Sequence, residues 1–346
     1  MGISRKDVEL LIHLCQQKCI PSNPFVAELG TQQLSNSFLR SPELAKKAAA
    51  SFGVSRPYTL PPAGPSIISA EHTELLDSEA PFAREFWISL GFEYTAIDVD
   101  GSPGSIPLDL NYDQIRNDLR NKFGLVTNFG TTEHVCNQLN AFKIIHDLTA
   151  PGGTMMHHLP AGGMLNHGLV NYTPKFFWSL ARSNGYKWHY MSFYGGGSSY
   201  RIPENVLSFT QSFDRGLGAM MQSREMSDYA ILVALQKTLD IPFVAPLDVN
   251  TGARTNDTTL TRRYWTVFQP ELLEAIRSGE QTPEWVHQPS VSQVEPPVSG
   301  DEAMPIRRAV VGRPGRRVLA LVAAAAAMCT ASIIGLILIV ARLLSS

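Results

Sequence analysis

The sequence is poor in several things, and each shortage removes a class of protein. Charge of one sign is missing: 29 Lys and Arg stand against 31 Asp and Glu, a formal net charge of −2. No global basic field exists to hold nucleic acid, and no nucleic-acid partner is expected. Cysteine is scarce, and Cys15, Cys19, Cys136 and Cys329 are too few and too scattered for a disulfide framework. A reducing compartment is the simpler expectation. Cys15 and Cys19 would share a helix face with His13 nearby, but two thiols and one imidazole lack a fourth ligand. They read as half-buried helix cysteines, and no metal is expected. The amino terminus, "MGISRKDVELL", lacks the apolar core of a signal peptide. Lys6 stands where a myristoylation signal behind Gly2 wants Ser or Thr. Glycine is short where it would matter most. "VAELGTQQ", residues 26–33, reads as a buried strand running into a turn, with one glycine where phosphate-binding loops need two or three.

Apolar residues are plentiful, 44% of the 346 against 17% charged. Part of that excess lies in one run. "VLALVAAAAAMCTASIIGLILIVA", Val318–Ala341, has no charged residue over about 24 positions, about 36 Å as a helix against a hydrocarbon core of about 30 Å. Arg307, Arg308, Arg313, Arg316 and Arg317 precede it and only Arg342 follows, which places the amino-terminal part in the cytoplasm. The expectation is a single-pass carboxyl-terminal membrane anchor at 317–342. Before it, residues 288–316 are rich in proline, serine, glycine and arginine with no apolar period, the composition of a disordered linker. Residues 1–287 then form the folded domain.

Inside that domain short apolar runs alternate with helical patterns. "PFVAELG", "FEYTAIDVD", "FGLVTNFG", "GGTMMHHLP" and "YAILVALQK" are strand-like and bounded by turn residues. "ISRKDVELLIHLCQQ" places Val8, Leu11, Ile12 and Cys15 on one helix face, and "TEHVCNQLNAFKIIHDL" places Val135, Leu139, Phe142 and Ile145 on another. Alternation of this kind predicts an α/β fold, a mostly parallel sheet with helices on both faces. Such sheets bind ligands at the carboxyl ends of their strands. Those ends carry Glu28, Gly30 and Thr31, then Asp98, then Asp109 of "SIPLDLN", then Asn128 and Gly130 of "VTNFGTTEH". A Pro-Gly-Gly turn, Pro151–Gly153, leads into the next strand.

Taken in order these ends resemble the class I S-adenosylmethionine-dependent methyltransferases. The elements that carry the resemblance are "ELGTQQ", "AIDVD", "LDLN", "NFGTTEHV" and "APGG", over residues 22–240. It implies a Rossmann-like seven-stranded sheet closed by an antiparallel hairpin, with "YAILVALQK" as its late strand. It also implies S-adenosyl-L-methionine as cofactor. Glu28, Gly30 and Thr31 would cradle it, Asp98 and Val99 would hold its ribose, and Asp109 and Leu110 would flank its adenine. Asn128, Phe129, Gly130, Glu133 and His134 would form the pocket wall toward the methionine and acceptor. Two features depart from the family: Thr31, Gln32 and Gln33 replace further glycines, and an insertion of about 34–85 separates Gly30 from Asp98. S-adenosylmethionine has no phosphate, so a sparse turn counts against a nicotinamide dinucleotide more heavily than against it.

A hydroxyl acceptor calls for a base, and His158, His167 and His157 are the candidates, in and after the fifth strand. "NYTPKFFWSLARSNGY" reads as a helix begun near Pro174 and ended at Gly185, with Phe176, Phe177, Leu180 and Ala181 packed inward and Asn171 and Tyr172 facing acceptor. The function expected is O-methylation of a sugar, glycan or lipid-linked acceptor at the cytoplasmic membrane face. The competing expectation is an inactive binding or scaffold protein on the same fold.

Overall fold

Ser4 begins the first helix with a capping box. Its hydroxyl receives the Asp7 amide while the Asp7 carboxylate receives the Ser4 amide, so two otherwise orphaned donors are satisfied. Helix α1, Arg5–Gln16, buries Val8, Leu11 and Ile12 as its period requires. The computed structural model describes residues 2–61, 80–101, 104–164, 166–195, 198–202, 228–249, 254–280 and 282–287. The expected linker at 288–316 and anchor at 317–342 lie outside the described residues. Among those described, no helix is long and apolar enough to cross a membrane.

The strands are β1 Phe25–Leu29, β2 Glu93–Asp98, β3 Ser105–Pro107, β4 Phe123–Phe129, β5 Thr149–Gly162, β6 Lys187–Gly195, β7 Ser198–Arg201 and β8 Tyr229–Gln236. They form one sheet in the order β3-β2-β1-β4-β5-β8-β6-β7. The first five are parallel, and β8 slots antiparallel between β5 and β6. The expected seven strands therefore carry an eighth, the four-residue β7 paired antiparallel on the edge strand β6. β6 escapes sequence reading because its first half is only half-buried and shows no clean alternation. The Pro-Gly-Gly segment is not a turn ahead of β5. It lies inside the strand where pairing with β4 shifts register, and Gly153 has Phe123 O and Ala150 O too close for any Cβ.

Helices cover both faces. Between β1 and β2 come α2 Asn36–Leu39, α3 Pro42–Ser51 and α4 Arg84–Ser89. With α1 they pack on the face that carries Val26, Leu125 and Met156. α5 Gln138–Leu148 and α6 Pro174–Asn184 pack on the other, against Ala27, Leu29, Val126 and Met155. The segment between β1 and β2 leaves and returns at one place: Leu34 N donates to Pro81 O and Ala83 N to Gln32 O. α7 Thr258–Arg263, α8 Trp265–Phe268 and α9 Pro270–Arg277 follow β8 and enclose a small cluster of Ile241, Val244, Trp265, Leu273 and Val286.

Two local expectations change and a third stands as read. α5 starts at Gln138, capped by Asn137, and Thr132–His134 is a separate 3-10 turn, so Leu139 faces outward, 57% exposed. Cys15 and Cys19 share no helix face, because α1 ends at Gln16; the Cys15 thiol donates to Ser51 O and Cys19 Sγ lies 3.3 Å from His189 Nδ1. α6 is bounded by Thr173 as cap, Pro174 in its first turn and left-handed Gly185, and Phe177, Leu180 and Ala181 pack inward as its period requires.

Candidate active site

Parallel β1, β2, β4 and β5 end at one edge of the sheet, and the chemistry-bearing side chains gather there. The turn after β1 answers the question that its sparse glycines raise. Gly30 has φ +70 and its amide donates to Ile97 O. Thr31 N donates to Asp98 Oδ2 at 2.6 Å across the crevice between β1 and β2. Gln32, almost fully buried, folds its side chain back over the turn: Nε2 donates to Leu29 O and to Thr131 Oγ1. Side-chain amide bonds thus close a turn that further glycines would have left open.

Glu28 is not a cofactor ligand in this arrangement. It lies fully buried on the α4 face, accepting from Gln32 N at 3.0 Å, Trp87 Nε1 at 2.8 Å and the Tyr94 hydroxyl at 2.6 Å. Its carboxylate braces the turn from beneath, and burial pushes its pKa up to about 7 despite three donors. Phe129 is also structural, packed into the core below α1. Asn128 is fully buried, trading hydrogen bonds with Thr132 so that the chain after Gly130, φ +78, turns sharply.

Asp98 and Val99 stay at the crevice, Val99 69% exposed. Asp109 sits two residues past the end of β3, its Oδ1 accepting from Asn111 N to shape a turn, with Leu110 buried behind. Whether these residues suit S-adenosylmethionine can be tested on the donor set. The Asp98 carboxylate for ribose hydroxyls, the exposed Val99 beside it, and a buried Thr31 hydroxyl with no partner among the described residues stand at the ends of β1 and β2. They fit the cofactor.

The three candidate bases separate. His157 points into the core between Phe142 and Phe177, and burial pushes its pKa down to about 3, so it is poorly placed to take an acceptor proton. His158, the next residue along β5, points to the opposite face, 6% exposed, with Nδ1 2.8 Å from Asp7 Oδ1. Burial alone would lower the His158 pKa, but the charge and hydrogen bond of Asp7 outweigh it and raise it. One aspartate thus does two jobs: Oδ2 caps α1 and Oδ1 orients His158. Nothing in the local sequence says that the α1 cap would be buried against β5.

His167 comes to the edge from the segment after β5, with Nε2 3.4 Å from Glu133 Oε1. His134 Nε2 lies 3.9 Å from the same oxygen. Burial pushes the Glu133 carboxyl up to about 7. Burial lowers both histidines, and for His134 the neighbouring His167 adds to it. Asn171 is exposed at this edge, whereas Tyr172 is buried, its hydroxyl donating to Gln138 Oε1, so it supports the wall and does not face an acceptor.

With this geometry in hand, comparison with known proteins is informative at the family level. Residues 77–208 match the family described as "Methyltransferase domain". That match, over part of the chain, and the strand order agree with the class I S-adenosylmethionine-dependent methyltransferase resemblance carried by the strand ends. No curated protein matches the chain by sequence.

Solved structures show weak likeness. A Burkholderia thailandensis 1,6-didemethyltoxoflavin-N1-methyltransferase with bound S-adenosylhomocysteine is 10% identical, covering 67% of this chain and 78% of its own at a TM-score of 0.31. A Haemonchus contortus phosphoethanolamine N-methyltransferase 2 in complex with S-adenosyl-L-methionine is 10% identical over 66% of this chain and 52% of its own, TM-score 0.31. An O-methyltransferase from a trans-AT PKS multienzyme of Brevibacillus brevis is 11% identical over 82% and 84%, TM-score 0.33. At these scores the likenesses say nothing about acceptor or mechanism.

Proposed function

We propose that the protein uses S-adenosylmethionine to methylate a hydroxyl of a sugar, glycan or lipid-linked acceptor at the cytoplasmic face of a membrane. The observation that carries the oxygen acceptor is the Asp7–His158 pair at the sheet edge. A neutral amine attacks unaided, whereas a hydroxyl must lose its proton, and an oriented imidazole is the group for that task. When bound, the cofactor supplies a methyl group on a sulfonium centre. The chain's own residues do the rest. Asp98 and the Thr31 amide align the ribose end, and Asp7 accepts from His158 Nδ1, which leaves Nε2 to take the acceptor proton. The membrane part rests on the uncharged run Val318–Ala341 and the arginines before it. Tethering would concentrate the enzyme where a lipid-linked acceptor is made.

The test has two arms. Calorimetric titration of S-adenosylmethionine into the intact chain should give saturable binding that is weakened at least tenfold in Asp98→Ala. Flotation with phospholipid vesicles should carry the intact chain and leave behind one ending at residue 287; equal flotation of both would remove the anchor. One observation favours the second reading, a scaffold without cofactor: Gln32 folds over the turn where the family keeps glycine. A folded chain that binds no S-adenosylmethionine would establish it.

A further inference from the structure

Glu133 is the least satisfied group at the sheet edge. Its side chain has no solvent exposure, and neither carboxylate oxygen has a hydrogen-bond donor among the described residues. A buried carboxylate that keeps its charge is paired or coordinates a metal. Its nearest neighbours are not good donors: His167 Nε2 at 3.4 Å and His134 Nε2 at 3.9 Å both lie beyond ordinary hydrogen-bond length. The His167 Nε2 is itself buried and unpartnered. The two imidazole rings stand 5.3 Å apart between centroids, and each presents its Nε2 to the same oxygen, Glu133 Oε1.

The backbone is built to bring these groups together. Glu133 O accepts from Leu169 N at 2.7 Å and from Val170 N at 3.2 Å, which ties the segment after β5 to the 3-10 turn. Gly168 makes the close approach, since a Cβ there would stand 2.9 Å from Glu133 Cγ. His167, the preceding residue, is thereby delivered to the carboxylate.

We infer that Glu133, His134 and His167 form a site for one divalent transition-metal ion. Their three ligand atoms lie within 4.8 Å of one another. Ligands about 2.0–2.1 Å from a common ion sit about 3.0–3.4 Å apart. The His167–Glu133 pair is at that spacing already, and the half-exposed His134 ring closes the remainder by rotating. Two imidazoles and one carboxylate favour a first-row transition ion over magnesium or calcium, which prefer all-oxygen shells. Three protein ligands leave coordination positions open. An acceptor oxygen on one of them would be polarised, a use that rests on the methyltransferase reading, whereas ion binding does not.

The test uses the intact chain after chelation, titrated with Zn2+ by calorimetry and with Co2+ by visible absorption. One ion per chain is expected, with cobalt ligand-field bands, and affinity at least tenfold weaker in Glu133→Gln and in His167→Ala. Thermal melting guards against misfolding: Zn2+ should raise the Tm of the wild type and leave both variants unmoved, while chelated Glu133→Gln melts no lower than chelated wild type. No stoichiometric binding by folded chain, or equal binding in both variants, overturns the site. S-adenosylmethionine titration of the same samples reads the methyltransferase assignment separately.

Discussion

Replacing Gly30 by alanine asks the structure for a number. At φ +70 an L residue is strained by about 1–2 kcal/mol. The new Cβ would also stand 2.6 Å from Thr131 Oγ1 and 3.4 Å from Thr131 Cγ2. Thr131 cannot swing away freely, because its hydroxyl donates to Leu29 O and receives Gln32 Nε2. Overpacking of this kind costs about 1–3 kcal/mol, so Gly30→Ala should lose about 2–5 kcal/mol in all. Urea unfolding of wild type, Gly30→Ala, Thr131→Ala and the double variant separates the two parts. Without Thr131's oxygen and methyl, the alanine should cost mainly the dihedral strain, with Gln32 Nε2 at 3.0 Å the remaining close contact, giving a coupling of about 1–3 kcal/mol between the sites. Affinity for S-adenosylmethionine should fall at least tenfold in Gly30→Ala as Thr31 N is displaced from Asp98. A Gly30→Ala protein within about 0.5 kcal/mol of wild type, a shift ordinary for surface positions, would refute the account of the closed turn.

Three further outcomes are expected. Asp98→Ala removes the acceptor for Thr31 N and the acid for ribose, and should weaken cofactor binding by about 10–100-fold, equivalent to about 1.4–2.8 kcal/mol, in calorimetry. Because Asp7 raises His158, with Glu133 adding in the same direction, activity should climb with pH through a value above that of an ordinary histidine, and Asp7→Asn should move that limb down; an unmoved limb means that another base acts. Glu28 has a folded pKa above its unfolded one, so the folded state holds the extra proton and stability falls as pH rises from about 4.5 to about 7. Glu28→Gln does not titrate, and its stability deficit in urea unfolding should therefore shrink by roughly 3 kcal/mol between pH 4.5 and pH 8. A constant deficit would place the Glu28 pKa near its ordinary value.

Much of this molecule is legible without coordinates. Five strand segments and the mostly parallel character of the sheet follow from apolar runs and turn residues, because a central parallel strand must be apolar on both faces and its ends must be polar. Thr173, Pro174 and Gly185 bound α6 by local chemistry that works in any context. Asp98 reaches the crevice because the end of a parallel strand can go nowhere else.

The roles of individual acids and histidines are another matter. "ELGTQQ" shows a glutamate at a strand end, but only the packing of Trp87 and Tyr94, 59 and 66 residues downstream, makes it a buried brace. "HH" offers two equal imidazoles, and the pleat of β5 sends one into the core and the other to Asp7, 151 residues away in sequence. "EH" and the later histidine are separate signals until Gly168 lets the segment after β5 close on Glu133. Local sequence determines strands, caps and turns, since those energies act within a few residues. Burial and partner choice set what a titratable group does, and both depend on neighbours that only the folded sheet brings together.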